Sequence, residues 1–197
     1  FKLFLYGVKI INYDVLFLHQ SYPSYYLLTK KPNKPVILYY HGASNKLQRI
    51  NFKISMMLYK KRMAKIMAVS QAGINQMRKM IGNISAEVIY NGVDTNFYNP
   101  NLSKPYVKGE PQLLFVSALR PYKQASLLIS FMPDLLKKYP KIHLQIVGTG
   151  EQKLFLENLV KQLKLENHVE LTGRIDDEQL KFRYSSCDVY VSASTFE

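Results

Sequence analysis

Twice along this chain, short runs rich in β-branched and other apolar residues alternate with segments of helical period, and few architectures accommodate that alternation. A parallel neighbour strand has to be reached by a crossover, and a helix is the usual crossover, so the pattern predicts an α/β protein with parallel sheets. In the first round, Asp14–Leu18, Pro35–Tyr40, Ile66–Val69 and Glu87–Tyr90 read as strands, with helices near Gln48–Ala64 and Gln71–Met80. Ser70 stands where an N-cap belongs, and Gly82-Asn83 where the second helix should stop. In the second round, strands fall at Gln112–Ser117, His143–Val147, His168–Leu171 and Val189–Ser192, with helices near Ala125–Lys138, Gln152–Leu163 and Asp177–Tyr184. Text rich in turn formers runs from Asn91 to Pro111. It predicts an N-terminal unit over 1–95, a linker over 96–111 and a C-terminal unit over 112–197.

With 197 residues, 47% of them apolar, the chain has material for ordinary packed cores. No uninterrupted apolar run reaches the length of about 18 residues that a spanning helix needs. The opening Phe1-Lys2-Leu3-Phe4-Leu5-Tyr6 lacks the order of a secretory leader, so the expected location is cytoplasmic. Cys187 is the only cysteine, which excludes an internal disulfide and a cysteine-rich metal site. The net charge of +13 is concentrated at the front: residues 1–109 hold 16 Lys and Arg against three acids, and residues 110–197 hold 11 against 11. Such a step fits a first unit facing something anionic, such as a phospholipid headgroup, a phosphorylated glycan or nucleic acid; it fits a merely solvated basic surface equally well.

Several turns carry groups with chemical potential. Leu113 to Lys123 is an apolar strand entering a turn with Arg120 and Lys123, just before a helix. Lys offers a mobile point charge and Arg a planar fork, and together at a helix start they can neutralise a diphosphate. Two solvated cations at a surface turn are the plain alternative. Val147-Gly148-Thr149-Gly150-Glu151 is a second strand-to-helix turn, where Gly148 and Gly150 allow close backbone approach. Lys153 stands where a dinucleotide fingerprint wants glycine, so a nicotinamide cofactor is disfavoured and a tight turn is the simpler account. Gly173-Arg174 ends another strand, and Asp176-Asp177-Glu178 after it suits a helix N-terminus better than a metal. His41 follows Tyr39-Tyr40, in position to donate to a substrate oxygen or to bond a backbone carbonyl. From Lys46 to Lys65 seven cations accompany apolar helical spacing with no acid. That spacing predicts an apolar stripe packed on the sheet and cations on the outside, where they could meet an anionic membrane.

Taken in order, Ala68-Val69-Ser70, Val88-Ile89-Tyr90-Asn91-Gly92-Val93-Asp94-Thr95, the strand before Pro121-Tyr122-Lys123, Ile146-Val147-Gly148-Thr149-Gly150-Glu151, Leu171-Thr172-Gly173-Arg174 and Cys187-Asp188-Val189-Tyr190-Val191-Ser192-Ala193-Ser194-Thr195-Phe196-Glu197 resemble the family-4 retaining glycosyltransferases. The resemblance is weak before residue 36 and dense from residue 66 onward. It implies the GT-B architecture, two Rossmann-like parallel-sheet domains that bind a nucleotide-sugar between them, both incomplete in this chain. It also implies sugar transfer to a glycan or lipid-linked acceptor with retention of configuration, without a metal or other cofactor.

By position, Lys123 matches the family lysine that holds the donor phosphates. The family arginine falls five residues earlier, at Ala118, so Arg120 stands two places displaced. His41 matches the histidine near the reaction centre, Gly173 and Arg174 fall where the base is bracketed, and Ser70 lies in a segment flanking the cleft. Gly148 and Gly150 belong to the donor side. Glu197 matches the first glutamate of a family pair, the one that contacts the transferred sugar, and its partner would lie beyond the last residue. The expectation is an internal fragment of a longer enzyme, with a nucleotide-sugar and an anionic membrane surface as partners and no nucleic acid. The competing readings are an inactive sugar-nucleotide-binding relative, suggested by Ala118, and a basic nucleic-acid binder with Tyr22, Tyr25 and Tyr26 as stacking groups.

Overall fold

A computed structural model describes residues 13–19, 34–43, 45–99, 101 and 107–195. The chain divides into two compact units, Phe1–Gly92 and Val93–Glu197. Each contains a four-stranded sheet whose named strands all pair in parallel.

In the first unit the elements are β1 (Leu16–His19), β2 (Val36–Tyr40), α1 (Lys46–Tyr59), a 3-10 turn (Lys60–Arg62), β3 (Lys65–Ala68), α2 (Gln71–Ile81) and β4 (Glu87–Val88), with strand order β1-β2-β3-β4. Alternate residues of β2 (Val36, Leu38 and Tyr40) are buried. They meet Phe52, Met56 and Met77 in one core, where each large side chain removed from water contributes on the order of 1.5–3 kcal/mol. Helix α1 starts at Asn45, whose side chain accepts from the Gln48 amide at 2.9 Å. α2 starts at Ser70, whose hydroxyl accepts from Gly73, and stops at Gly82 with φ 76°, both as the sequence predicts.

The expectation for α1 covers only part of what the helix carries. Phe52, Ser55, Met56 and Tyr59 form the buried stripe and the cations do lie outside, but a second apolar stripe lies outside with them. Periodicity gives the spacing of apolar positions without saying which of two stripes finds the sheet.

The second unit runs β5 (Gln112–Val116), a 3-10 turn (Pro121–Lys123), α3 (Ala125–Lys138), β6 (His143–Val147), α4 (Lys153–Gln162), β7 (Val169–Gly173), α5 (Asp177–Ser186) and β8 (Val189–Tyr190). Four of the five residues of β5 and all of β6 are buried, as strands covered on both faces should be. Phe115, Ile129, Met132, Leu144, Ile146 and Leu156 anchor the core. The strand order is β7-β6-β5-β8. The chain therefore builds outward from β5 on one side and then jumps to its other side, and this reversal is where an open parallel sheet leaves a crevice for ligands. Asp176 caps α5 by accepting from the Gln179 amide at 2.7 Å, and Glu178 pairs with Lys181 at 2.6 Å, so two of the three acids serve the start of a helix. Phe97 and Tyr98 also join this unit: the Lys181 ammonium lies 4.5 Å from the Phe97 ring centroid, and the Tyr98 and Tyr184 rings lie 6.0 Å apart.

The end strands β4 and β8 are two residues long, shorter than the apolar runs that predict them, because each pairs with one neighbour over two positions. β7 runs past Leu171 to Gly173.

Candidate functional site

The carboxyl edge of the second sheet gathers most of the sequence-predicted residues. After β5 the chain crosses to Arg120 and makes one 3-10 turn, in which the Lys123 amide donates to the Arg120 carbonyl at 3.0 Å. Gln124, left-handed at φ 51°, then opens α3, so Arg120 and Lys123 stand one turn apart at a helix N-terminus. Arg120 is exposed, and among the described residues it makes no ion pair. The corner is tied to the segment after β8, since both the amide and the hydroxyl of Thr195 donate to the Tyr122 carbonyl, at 3.0 and 3.2 Å. These two loops flank the strand-order reversal between β5 and β8. Glu197, two positions after Thr195, lies outside the described residues, as do Tyr22, Tyr25 and Tyr26.

The glycines of the next loop have a reason the sequence did not display. Gly148 has φ 139°, and a Cβ there would strike the Ser117 carbonyl oxygen; a Cβ on Gly150 would strike the Leu119 carbonyl. The Leu119 amide donates to Thr149 at 2.9 Å, and the Gln152 amide to Leu119 at 3.1 Å. Gly148 and Gly150 thus let the β6 loop lie directly against the β5 loop that carries Arg120. The Gly148 amide also donates to the Gly173 carbonyl at 2.8 Å, which binds the β7 end into the same edge. Gly173 has φ 75° with open space around it, and exposed Arg174 follows. Arg120, Lys123, Gly148, Gly150, Gly173 and Arg174 therefore share one edge of one sheet.

His41 belongs to the first unit, just past the carboxyl end of β2. Its Nε2 lies 2.9 Å from Nδ1 of His19, the last residue of β1, and the two rings stack with centroids 5.2 Å apart. Tyr39 meets both rings edge-on, and its hydroxyl donates to the Ile89 carbonyl at 2.6 Å and to Asn91 at 3.3 Å. Partial burial first, and the neighbouring His19 second, hold the His41 imidazole below its ordinary value of 6.5. It is therefore neutral near pH 7.

Gln76 on α2 fixes the chain just beyond. Its carbonyl oxygen accepts from the Ala43 amide at 2.9 Å and from the Tyr40 hydroxyl, and its NH₂ donates to the Ala43 carbonyl at 3.1 Å. Burial pushes the Tyr40 phenol up to about 12, so it remains a donor throughout the useful pH range. His19, Tyr39 and Gln76 escape a reading by motif. A usable signal exists for the first: Leu16-Phe17-Leu18-His19 and Leu38-Tyr39-Tyr40-His41 are both apolar runs closed by histidine.

Comparison with known proteins bears on the family and the fold. The sequence shares 26% identity over 184 residues with the phosphatidyl-myo-inositol mannosyltransferase of Mycolicibacterium smegmatis, covering 91% of this chain and 47% of that protein. An uncharacterised glycosyltransferase of Methanocaldococcus jannaschii is 32% identical over 121 residues, 56% of this chain and 31% of the relative. The chain thus spans less than half the length of either relative. Among solved structures, Anabaena HepE in complex with UDP superposes with a TM-score of 0.74 at 21% identity, over 93% of this chain and 54% of HepE. TarM gives 0.75 at 17% identity, over 99% of this chain and 40% of TarM. These superpositions establish the GT-B fold. Residues 4–97 match the model of Glycosyltransferase Family 4 and residues 101–197 that of Glycosyl transferases group 1, and the chain belongs to this glycosyltransferase family.

Proposed function

We propose that the protein containing this chain transfers a sugar from a nucleotide-sugar to a glycan or lipid-linked acceptor, with retention of configuration, and that the second unit holds the donor diphosphate. The observation that carries the reading is the pair Arg120 and Lys123 at a helix N-terminus beside the strand-order reversal, tied by Thr195 to the segment leading to Glu197. As the bond from the anomeric carbon to the diphosphate oxygen breaks, negative charge grows on that oxygen. Lys123, with Arg120 beside it, is assigned to offset that charge without a metal ion. An acceptor hydroxyl attacks the same face and passes its proton to the departing diphosphate oxygen, while the nucleoside diphosphate leaves. Gly173 and Arg174 line the same edge on the side assigned to the base, and Glu197 is assigned to the transferred sugar.

His41 is assigned to contact with the reacting sugar. His19 engages its Nε2, which leaves Nδ1 for a substrate oxygen. The lipid-linked acceptor is supported by the mycobacterial relative, named for transferring mannose to phosphatidyl-myo-inositol, and the nucleotide donor by the UDP bound to HepE.

The test is a panel of nucleotide-sugars supplied to the full-length protein, with the anomeric configuration of the product read by NMR. Transfer with retention supports the proposal. Inversion, or binding of every donor without turnover, contradicts it and favours an inverting enzyme or an inactive binding protein respectively.

A further inference from the structure

The outer face of α1 is the feature that sugar transfer does not absorb. A surface helix on a parallel sheet normally turns its charges to water, because the sheet needs only one apolar stripe. Here Phe52, Ser55, Met56 and Tyr59 supply that stripe. On the opposite face Leu47, Ile50, Ile54, Met57 and Leu58 recur at spacings of three and four, and none is less than 42% exposed; Leu47 reaches 64% and Met57 77%. Single exposed apolar side chains are ordinary, but five aligned along fourteen residues form a ridge with a purpose.

The charge around the ridge selects its partner. Lys46, Arg49 and Lys53 run along one flank, Lys60 and Lys61 stand in the exposed turn that follows, and no acid occurs from Lys46 to Lys65. A second copy packed on the ridge would bring these like charges together with no acid on the helix to answer them. Nucleic acid would meet the cations but has no use for an aliphatic ridge that lacks an aromatic face for stacking. An anionic bilayer satisfies both features, since aliphatic side chains enter the acyl boundary while the lysines stay among the headgroups. No helix among the described residues is long and apolar enough to cross a membrane.

We propose that α1 is a membrane-docking helix that seats Leu47, Ile50, Ile54, Met57 and Leu58 in the interface of an anionic lipid bilayer. This assignment stands independently of the sugar-transfer reading.

The test uses the full-length protein with vesicles of phosphatidylcholine alone and with about a third phosphatidylglycerol, read by flotation. Retention is expected on the anionic vesicles at low salt, falling as salt rises, with about a fivefold loss of affinity for each lysine replaced among Lys46, Lys53 and Lys60. Ile54→Glu with Met57→Glu is expected to cost at least about tenfold, with an unchanged circular dichroism spectrum and melting curve. Because a doubly acidic ridge could disturb folding, a second measurement uses Met57→Trp, whose emission should shift to the blue and be quenched by brominated lipid on anionic vesicles only. No retention, retention indifferent to the ridge, or emission at position 57 untouched by lipid overturns the proposal. Ridge variants that change only the oligomeric state measured by light scattering would transfer the face to a second copy, and variants that weaken only DNA retention would transfer it to nucleic acid; either result also overturns it.

Discussion

The two units have the same four-stranded parallel plan and opposite electrostatic habits. Residues 1–92 hold 14 Lys and Arg against two acids, while residues 93–197 hold 13 against 12. Yet the nearly neutral unit carries the compact cationic corner, Arg120 and Lys123 beside a strand-order reversal, whereas the basic unit spreads its charge along α1 and ends its first two strands in a ring cluster of His19, Tyr39 and His41. Net charge reports what a surface tolerates. Position relative to strand ends and helix starts decides where a phosphate could be gripped.

A single methyl group should disturb the second unit. Gly148→Ala would meet the Ser117 carbonyl at an already left-handed φ, and is expected to cost the second unit about 2–6 kcal/mol. Hydrogen exchange should speed in β5 and β6; unchanged exchange there would refute the close approach at Gly148.

Next comes chemistry without structural damage. Lys123→Ala in the full-length enzyme is expected to lower kcat by about 100- to 1000-fold, with Arg120→Ala costing less, while the melting curve holds. Normal turnover in Lys123→Ala would remove the corner from the mechanism.

A smaller effect belongs to the first unit. Gln76→Leu strands the buried Ala43 amide and the Tyr40 hydroxyl, though Arg49 still donates to the Ala43 carbonyl at 3.2 Å. The expected cost is about 1–3 kcal/mol, together with faster exchange at Ala43.

The smallest concerns pH. Because the folded-state value of His41 lies below 6.5, the native first unit binds fewer protons than the unfolded chain. This contribution to stability is fully present above about 6.5 and lost as pH falls from there through the folded value. Buried His143 adds the same dependence to the second unit, since burial, its largest influence, lowers it, outweighing the opposite pull of Glu170. His19→Asn removes the second of the two influences on His41, so the acid limb of kcat/KM should move upward; an unmoved limb would separate His19 from the site.

Much of this was legible in the sequence because parallel α/β folds write themselves locally. The core strands and helices announce themselves through β-branched runs, the Ser70 cap and the Gly82 stop. The grouping of Arg120 with Gly148, Gly150, Gly173 and Arg174 followed from the rule that strand carboxyl ends share an edge. What stayed hidden depends on register and facing. His19 meets His41 only because β1 and β2 pair with His19 opposite Tyr39, and the Gln76 clamp spans 33 residues. The glycines of the β6 loop invited a ligand reading, whereas their nearest neighbours are carbonyls of the adjoining loop. For α1, two apolar stripes of equal period could not be told apart until one was seen against the sheet.

Calorimetric titration of UDP and of GDP into the full-length protein and its Lys123→Ala and His41→Ala variants tests whether the second unit holds the donor diphosphate. One nucleotide is expected to bind the wild type, with most of that affinity lost in Lys123→Ala and kept in His41→Ala, since the diphosphate is assigned to the second unit alone. Unchanged binding in Lys123→Ala, or loss in His41→Ala alone, would contradict that assignment.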